Sequence, residues 1–262
     1  MKRIGLAILV LAAFALPAGA EQWSKTYTIS NAPDLRVDTT DANIRVDTWE
    51  QKSIEATITS AYYKFGSGGL RVEEHQSGDT VEINLHFPHE FHFGGFTSHR
   101  VDIEIHMPRK GSVNLHTGDG KIELAEFAGD MDISSGDGAE DIHNVEGRLH
   151  ATTGDGHISA DGKFEVLNLK TGDGHLDVRA MAGSKVSEKW MLHTGDGSVS
   201  LEVPQDLVAD LHLHTGDGHI DVDFPITSEG RIRGNDVHGK LNGGGNLISV
   251  QTGDGSINLR KG

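Results

Sequence analysis

A four-residue phrase, Thr-Gly-Asp-Gly, returns through the second half of this 262-residue chain at a nearly fixed interval, and few folds can accommodate such a repeat. It reads Thr117-Gly118-Asp119-Gly120, then Ser135-Gly136-Asp137-Gly138, Thr153-Gly154-Asp155-Gly156 and Thr171-Gly172-Asp173-Gly174. It recurs at Thr194-Gly195-Asp196-Gly197, Thr215-Gly216-Asp217-Gly218 and Thr252-Gly253-Asp254-Gly255. The aspartates stand 18, 18, 18, 23, 21 and 37 residues apart. The last interval is close to two periods, which places a worn copy near Gly234-Asn235. A fixed period of about 20 residues marks a stacked repeat architecture.

The residues around the phrase say what each repeat is. Two positions before its first residue stand Leu115, Ile133, Ala151, Leu169, Leu192, Leu213 and Val250. Two positions after its last stand Ile122, Glu140, Ile158, Leu176, Val199, Ile220 and Ile257, and two further on Leu124, Ile142, Ala160, Val178, Leu201, Val222 and Leu259. Only Glu140 among these is not apolar, while the residues between them are mostly polar. This alternation predicts a strand, a tight turn and a second strand, each with one buried face. A second corner, such as Glu126-Phe127-Ala128-Gly129 or Asn144-Val145-Glu146-Gly147, closes each period.

A two-stranded unit cannot bury its apolar face alone, whereas stacked coils share one core. The expected fold is therefore all-β: a parallel β-solenoid of about 18–23-residue coils, right-handed by the usual sense of parallel crossovers. An antiparallel sandwich of hairpins is the alternative, since the same phrase can turn a hairpin. Within the turn, the first glycine is expected to supply a positive φ and the aspartate to bond turn amides. Threonine suits the strand end. Residues 182–189, where the interval stretches, read as a bulged corner, and Pro204 and Pro225 also fall at corners.

Residues 21–110 are strand-like but irregular, with alternation in Val81-Ile83-Leu85 and Val101-Ile103-Ile105-Met107. They read as a β region that caps or begins the solenoid of residues 111–262. One early stretch, Thr39-Thr40-Asp41-Ala42-Asn43-Ile44-Arg45-Val46, aligns position for position with Thr215–Val222, so the repeat starts before the interruption.

Lys2 and Arg3, the apolar run Ile4–Leu16 and Ala18-Gly19-Ala20 have the form of a secretory signal peptide over residues 1–20. The expected location is the periplasm or the cell surface. No other apolar run reaches the roughly 18 residues of a membrane span. The chain has no cysteine, which rules out disulfides and thiolate metal sites. Its formal charge of −16 disfavours nucleic acid as a partner.

The repeats, together with Ile44-Arg45-Val46-Asp47-Thr48-Trp49 and Val101-Asp102-Ile103-Glu104-Ile105-His106-Met107-Pro108, resemble bacterial exported β-strand-repeat proteins labelled putative adhesins, relatives of head-GIN-type domains. The resemblance spans the chain from residue 21 onward. It implies a β-solenoid in the cell envelope, in some cases tied to adhesion or envelope-stress signalling. It brings no catalytic motif.

The acidic and histidine columns read either as solvated surface or as ligand sites. Stacking aligns Asp119, Asp137, Asp155, Asp173, Asp196, Asp217 and Asp254 in a column, where Ca²⁺ is one way to offset repulsion and turn amides another. The calcium-binding nonapeptide register fails here, because its aspartate slot is filled by Ile158 or Ile220. A second acidic column, Glu123, Asp141, Asp177 and Asp221, runs beside His157, His175 and His219. His116, His193 and His214 lie on the other side of the turn. Imidazoles beside carboxylates can hold Zn²⁺ or copper, although Lys121, Ser198 and Ser256 fill equivalent slots. His86, His89 and His92 form the densest histidine cluster, without the helical spacing of zinc proteases.

No nucleophile elbow, phosphate loop or cysteine nucleophile is present. The expectation is a non-enzymatic interaction surface without a required cofactor, its partner a protein or polysaccharide of the envelope. A Ca²⁺- or Zn²⁺-dependent binding module is the alternative, and a carbohydrate-active β-helix enzyme the third reading.

Overall fold

The computed structural model describes residues 20–88, 100–225, 227–228 and 234–262. The predicted signal peptide, apart from Ala20, and His89 and His92 lie outside the described residues. No described residue is helical. The first seven strands are β1 (Glu21–Thr28), β2 (Asp34–Thr39), β3 (Ala42–Trp49), β4 (Ser53–Ser60), β5 (Arg71–Ser77), β6 (Thr80–His86) and β7 (Val101–Pro108). Then come β8 (Lys110–Thr117), β9 (Ile122–Ala125), β10 (Ala128–Ser135), β11 (Glu140–Thr152), β12 (Ile158–Thr171), β13 (Leu176–Ala180) and β14 (Trp190–Thr194). The last are β15 (Val199–Val203), β16 (Ala209–Thr215), β17 (Ile220–Val222), β18 (Thr227–Ser228), β19 (Asp236–Leu241), β20 (Leu247–Thr252) and β21 (Ile257–Lys261).

The strands form two rows. Strands that run into the repeated turn, extended by β5 and β6 at one end and by β19 and β18 at the other, make an entry sheet in the order β5, β6, β2, β8, β10, β11, β12, β14, β20, β16, β19, β18. Strands that leave the turn make an exit sheet in the order β1, β4, β7, β3, β9, β11, β12, β13, β15, β21, β17. The first halves of β11 and β12 lie in the exit sheet and their second halves in the entry sheet, so these strands run through the second corner with a shift of register near Ile142–Arg148. The fold is thus all-β and solenoid-like, with parallel pairing through the body of both rows. The antiparallel sandwich is not what forms.

Parallel neighbours pair residue for residue one period apart, which puts equivalent side chains in columns. Ile122, Glu140, Ile158, Leu176, Val199 and Ile257 form one inward column of the exit sheet. Leu115, Ile133, Ala151, Leu169, Leu192 and Val250 form its counterpart on the entry sheet, all of them buried. The two columns face each other across a core that shuts out water along the stack, the dominant favourable term for a fold of this type. At the stretched corner Trp190 is fully buried, with its ring edge-on to Phe164 and its Nε1–H donated to the Glu165 carbonyl at 3.2 Å.

Spatial order departs from chain order at both ends. The β2–β3 coil turns through Thr39-Thr40-Asp41-Ala42, and Thr39 pairs with Thr117, so it is a true first copy of the repeat. It nevertheless lies inside the stack, between β6–β7 and β8–β9. The β20–β21 coil likewise lies between β14–β15 and β16–β17. The expected worn copy at Gly234-Asn235 is not a coil. That stretch leads into β19, which pairs antiparallel with β16 and ends the entry sheet together with β18. At the other end β5, β1 and β4 also pair antiparallel. Antiparallel neighbours can follow from a short turn, whereas another parallel one needs a full crossover, so the direction of pairing changes where the stack stops.

Candidate functional site

The repeated turn has a structural task, and threonine performs it. Thr171 Oγ1 donates to the Gly156 carbonyl of the neighbouring coil at 2.8 Å and accepts the Gly174 amide of its own turn at 3.2 Å. Thr117, Thr153, Thr194 and Thr252 make the same two bonds, to Ala42, Gly138, Gly174 and Gly197 respectively and from the glycine three residues on. Thr215 makes the first of them, to Gly255. All these threonines are buried, so the hydroxyls of Thr117, Thr153, Thr171, Thr194 and Thr252 each satisfy two main-chain groups, and that of Thr215 one.

Two expectations about the turn are corrected. The aspartates do not satisfy it: Asp119, Asp137, Asp155, Asp173, Asp196, Asp217 and Asp254 are exposed, and their carboxylates accept no turn amide among the described residues. Threonine already supplies the bond the turn requires. The glycines of the phrase do not have positive φ either. They are required by close approach, because a Cβ on Gly174 would overlap the carbonyl oxygen of Gly156 in the next coil. Left-handed backbone occurs instead at the second corner, at Glu126 (φ 58°) and Asn144 (φ 52°).

With the turn accounted for, the outward faces remain. On the entry sheet one line of paired, outward positions runs Arg36, Asn114, Asp132, His150, Asn168, Met191, Ser249, His212, His238. The next runs Asp38, His116, Ser134, Thr152, Lys170, His193, Gln251, His214, Asp236. A groove of about 680 Å³ crosses the first line over β2, β8, β10, β11 and β12. Asp34, Arg36, Asn114, Asp132, His150 and Asn168 line its floor, and Arg148 pairs with Glu188 of the stretched corner at 2.9 Å on its flank.

The two lines end in a compact square on the antiparallel pair β16–β19. His212 stands opposite His238, and His214 opposite Asp236. The rings of His212 and His238 stack with centroids 4.3 Å apart. Asp236 Oδ1 faces His238 Nε2 at 3.4 Å, His212 Nε2 at 3.7 Å and His214 Nδ1 at 3.7 Å. These separations exceed a hydrogen bond, and the buried Oδ1 has no donor. Burial, then the neighbouring His238, pushes the His212 pKa down, which favours a neutral imidazole with a free lone pair. Among the described residues, His212, Asp236 and His238 are the group of three candidate ligands whose atoms all lie within 4.8 Å.

Of the histidines singled out in the sequence, His214 lies in this square, and the other described ones are not gathered in this way. His157 lies 3.8 Å from Asp141, His219 lies 3.3 Å from Asp221, and His175 Nδ1 accepts the Ser198 amide at 3.1 Å. His86 pairs with Glu73 at 3.3 Å. In the second acidic column, Lys121 bonds Glu123 and Asp141, each at 2.6 Å, and those bonds raise its pKa, that to Asp141 first. His212 and His238 went unremarked in sequence. The available signal was the pair of alternating triplets His212-Leu213-His214 and Asp236-Val237-His238, each with its apolar centre turned inward.

Glu140 is the other unusual group. It is fully buried in the apolar column, where Ser135 Oγ lies 3.3 Å from Oε1 and Oε2 has no partner. Burial raises its pKa to about 8, so the carboxyl is held neutral near pH 7.

Residues 160–260, less than half of the chain, match the family described as Toastrack DUF4097. Among solved structures, a putative cell adhesion protein from Clostridium sporogenes is similar at 13% identity and a TM-score of 0.47, over 93% of this chain and 100% of that one. A putative adhesin from Bacteroides fragilis gives 13% and 0.42 over 91% and 97%. A putative lipid binding protein from Parabacteroides distasonis gives 14% and 0.42 over 91% and 96%. No curated protein matches the sequence. The resemblance read from the repeats, to β-strand-repeat proteins labelled putative adhesins, agrees with these matches.

Proposed function

We propose that this chain is an exported, non-enzymatic β-solenoid whose entry sheet is an adhesin-like interaction surface in the cell envelope, with a hydroxyl-rich polysaccharide as its partner. The observation that carries the reading is the groove over β2–β12, whose floor is a line of registered acid, amide and imidazole side chains. Neighbouring strands repeat at about 4.8 Å, so donors and acceptors recur along it at a fixed short step. A sugar polymer offers hydroxyls at many points along such a line. Most apolar side chains of the same strands point inward, and Val166, in register with Arg148, adds an apolar face to the groove beside its polar line.

Export follows from Lys2, Arg3 and the apolar run that precedes Ala18-Gly19-Ala20. The coil is right-handed in this proposal, the usual sense of parallel crossovers. The open groove has the form of a binding surface rather than an enclosed site that excludes water from a reaction.

The test is retention on an immobilised envelope-polysaccharide fraction. The chain is expected to bind, and the double variant Asp132→Ala/Asn168→Ala to lose most of that retention while keeping its fold by circular dichroism. Equal retention of the two proteins, or retention of neither, refutes the reading.

A further inference from the structure

We propose that His212, Asp236 and His238, with His214 beside them, form a binding site for a late first-row transition-metal ion, with Zn²⁺, Cu²⁺ and Ni²⁺ as the class of ligand. The proposal does not depend on the polysaccharide reading. It rests on side chains brought together by the antiparallel pairing of β16 and β19, where the entry sheet departs from the parallel repeat.

Four features of the site favour such an ion. The first is spacing: in each strand the two candidate residues are two apart and share the outer face, and the two strands set them directly opposite. The second is distance. A tetrahedral ion with ligand bonds of about 2.0–2.1 Å separates its ligands by about 3.3–3.4 Å. The His238–Asp236 and His212–Asp236 separations of 3.4 and 3.7 Å are close to that edge. They are too long for the hydrogen bonds that would otherwise explain a carboxylate facing imidazoles.

The third is the state of Asp236. Its Oδ1 is buried without a donor, a condition that costs free energy unless something cationic or protic completes it. A metal ion bound there supplies that partner. The fourth is donor chemistry. Two or three imidazoles and a carboxylate suit zinc, copper and nickel, whereas calcium and magnesium take oxygen ligands. The stacked rings must rotate modestly about their Cβ–Cγ bonds to aim both nitrogens at one point. A depression of about 320 Å³ beside His212 and His238, on the side of Asp210 and Lys240, gives them room.

Such an ion would tie β19 to β16 and hold the end of the entry sheet in place. The measurement is a calorimetric titration of the chelator-treated chain with ZnCl₂, repeated with CaCl₂. One equivalent of Zn²⁺ is expected to bind, with no competition from Ca²⁺. The variant His212→Gln/His238→Gln should lose at least about tenfold in affinity, the lower bound for losing even an outer partner of a ligand. His175→Gln/His219→Gln should match the unchanged protein. Equal affinity in the first variant, a loss in the second instead, or displacement by Ca²⁺ would overturn the assignment. Hydrogen exchange on the unaltered chain gives a readout independent of any variant's folding. Zn²⁺ should slow exchange in β16 and β19, and an unchanged pattern there also counts against the site.

Discussion

Glu140 holds a carboxyl where every neighbour in its column is aliphatic, so folding stability depends on its protonation. The group sits between Ile122 and Ile158 with its pKa raised from 4.5 to about 8. Below the unfolded value both states carry the proton and the group adds no pH dependence. As pH rises past 4.5 the unfolded chain releases the proton while the folded chain keeps it, so stability falls by about 1.4 kcal/mol per unit. The decline stops once pH passes about 8 and the folded carboxyl also ionises. From about pH 5 to about pH 9 the accumulated loss is about 4 kcal/mol for this one group.

Glu140→Gln keeps the shape and removes the titration. Urea denaturation of both proteins across that range measures the difference, and subtraction cancels the contribution of the histidines. The variant should be more stable by several kcal/mol at the alkaline end, with the gap narrowing steadily toward pH 5. A gap that does not change with pH would refute the reasoning, since it would mean that the carboxyl is hydrated in the folded state.

The turn offers further tests. Thr171→Val removes a buried donor and acceptor and strands the Gly156 carbonyl and the Gly174 amide; a loss of about 1–3 kcal/mol is expected in urea denaturation. Gly174→Ala forces a methyl against the Gly156 carbonyl, and overpacking of this sort costs about 1–3 kcal/mol by the same assay. Asp155→Asn touches no bonded partner and relieves a column of like charges, so it should be neutral or stabilising by under about 1 kcal/mol, with any gain fading in high salt.

The coil was legible because its signal is repeated. Apolar positions flank each turn at fixed offsets, and the early alignment of Thr39–Val46 with Thr215–Val222 located a coil that lies more than 70 residues before the regular run. Glu140 stood out in sequence for the same reason that it matters in the core. The division of labour within Thr-Gly-Asp-Gly was not legible, because aspartate and threonine can both satisfy turn amides. The choice depends on which side chain points into the stack. The arrangement at the ends was hidden for another reason. A 37-residue interval suits two coils by length alone, but the segment instead turns back as β19 and lets β20–β21 enter the stack. With that pairing unseen, nothing linked His212 to His238, which are 26 residues apart in the chain.

The position of the β20–β21 coil bears on how this molecule can assemble. A simple solenoid can grow in the order of synthesis, each new coil templating the next. Here β16–β17 precedes in the chain the coil it pairs with, so among the described residues it has no coil to dock on until residues 247–261 arrive and wedge in beside it. The wedge acts as a keystone: its two flanks become one stack only when it is set. Such late, distant closure lengthens the search and leaves open edges exposed during folding. A chain truncated before Leu247 should therefore lose not one coil but the docking of two.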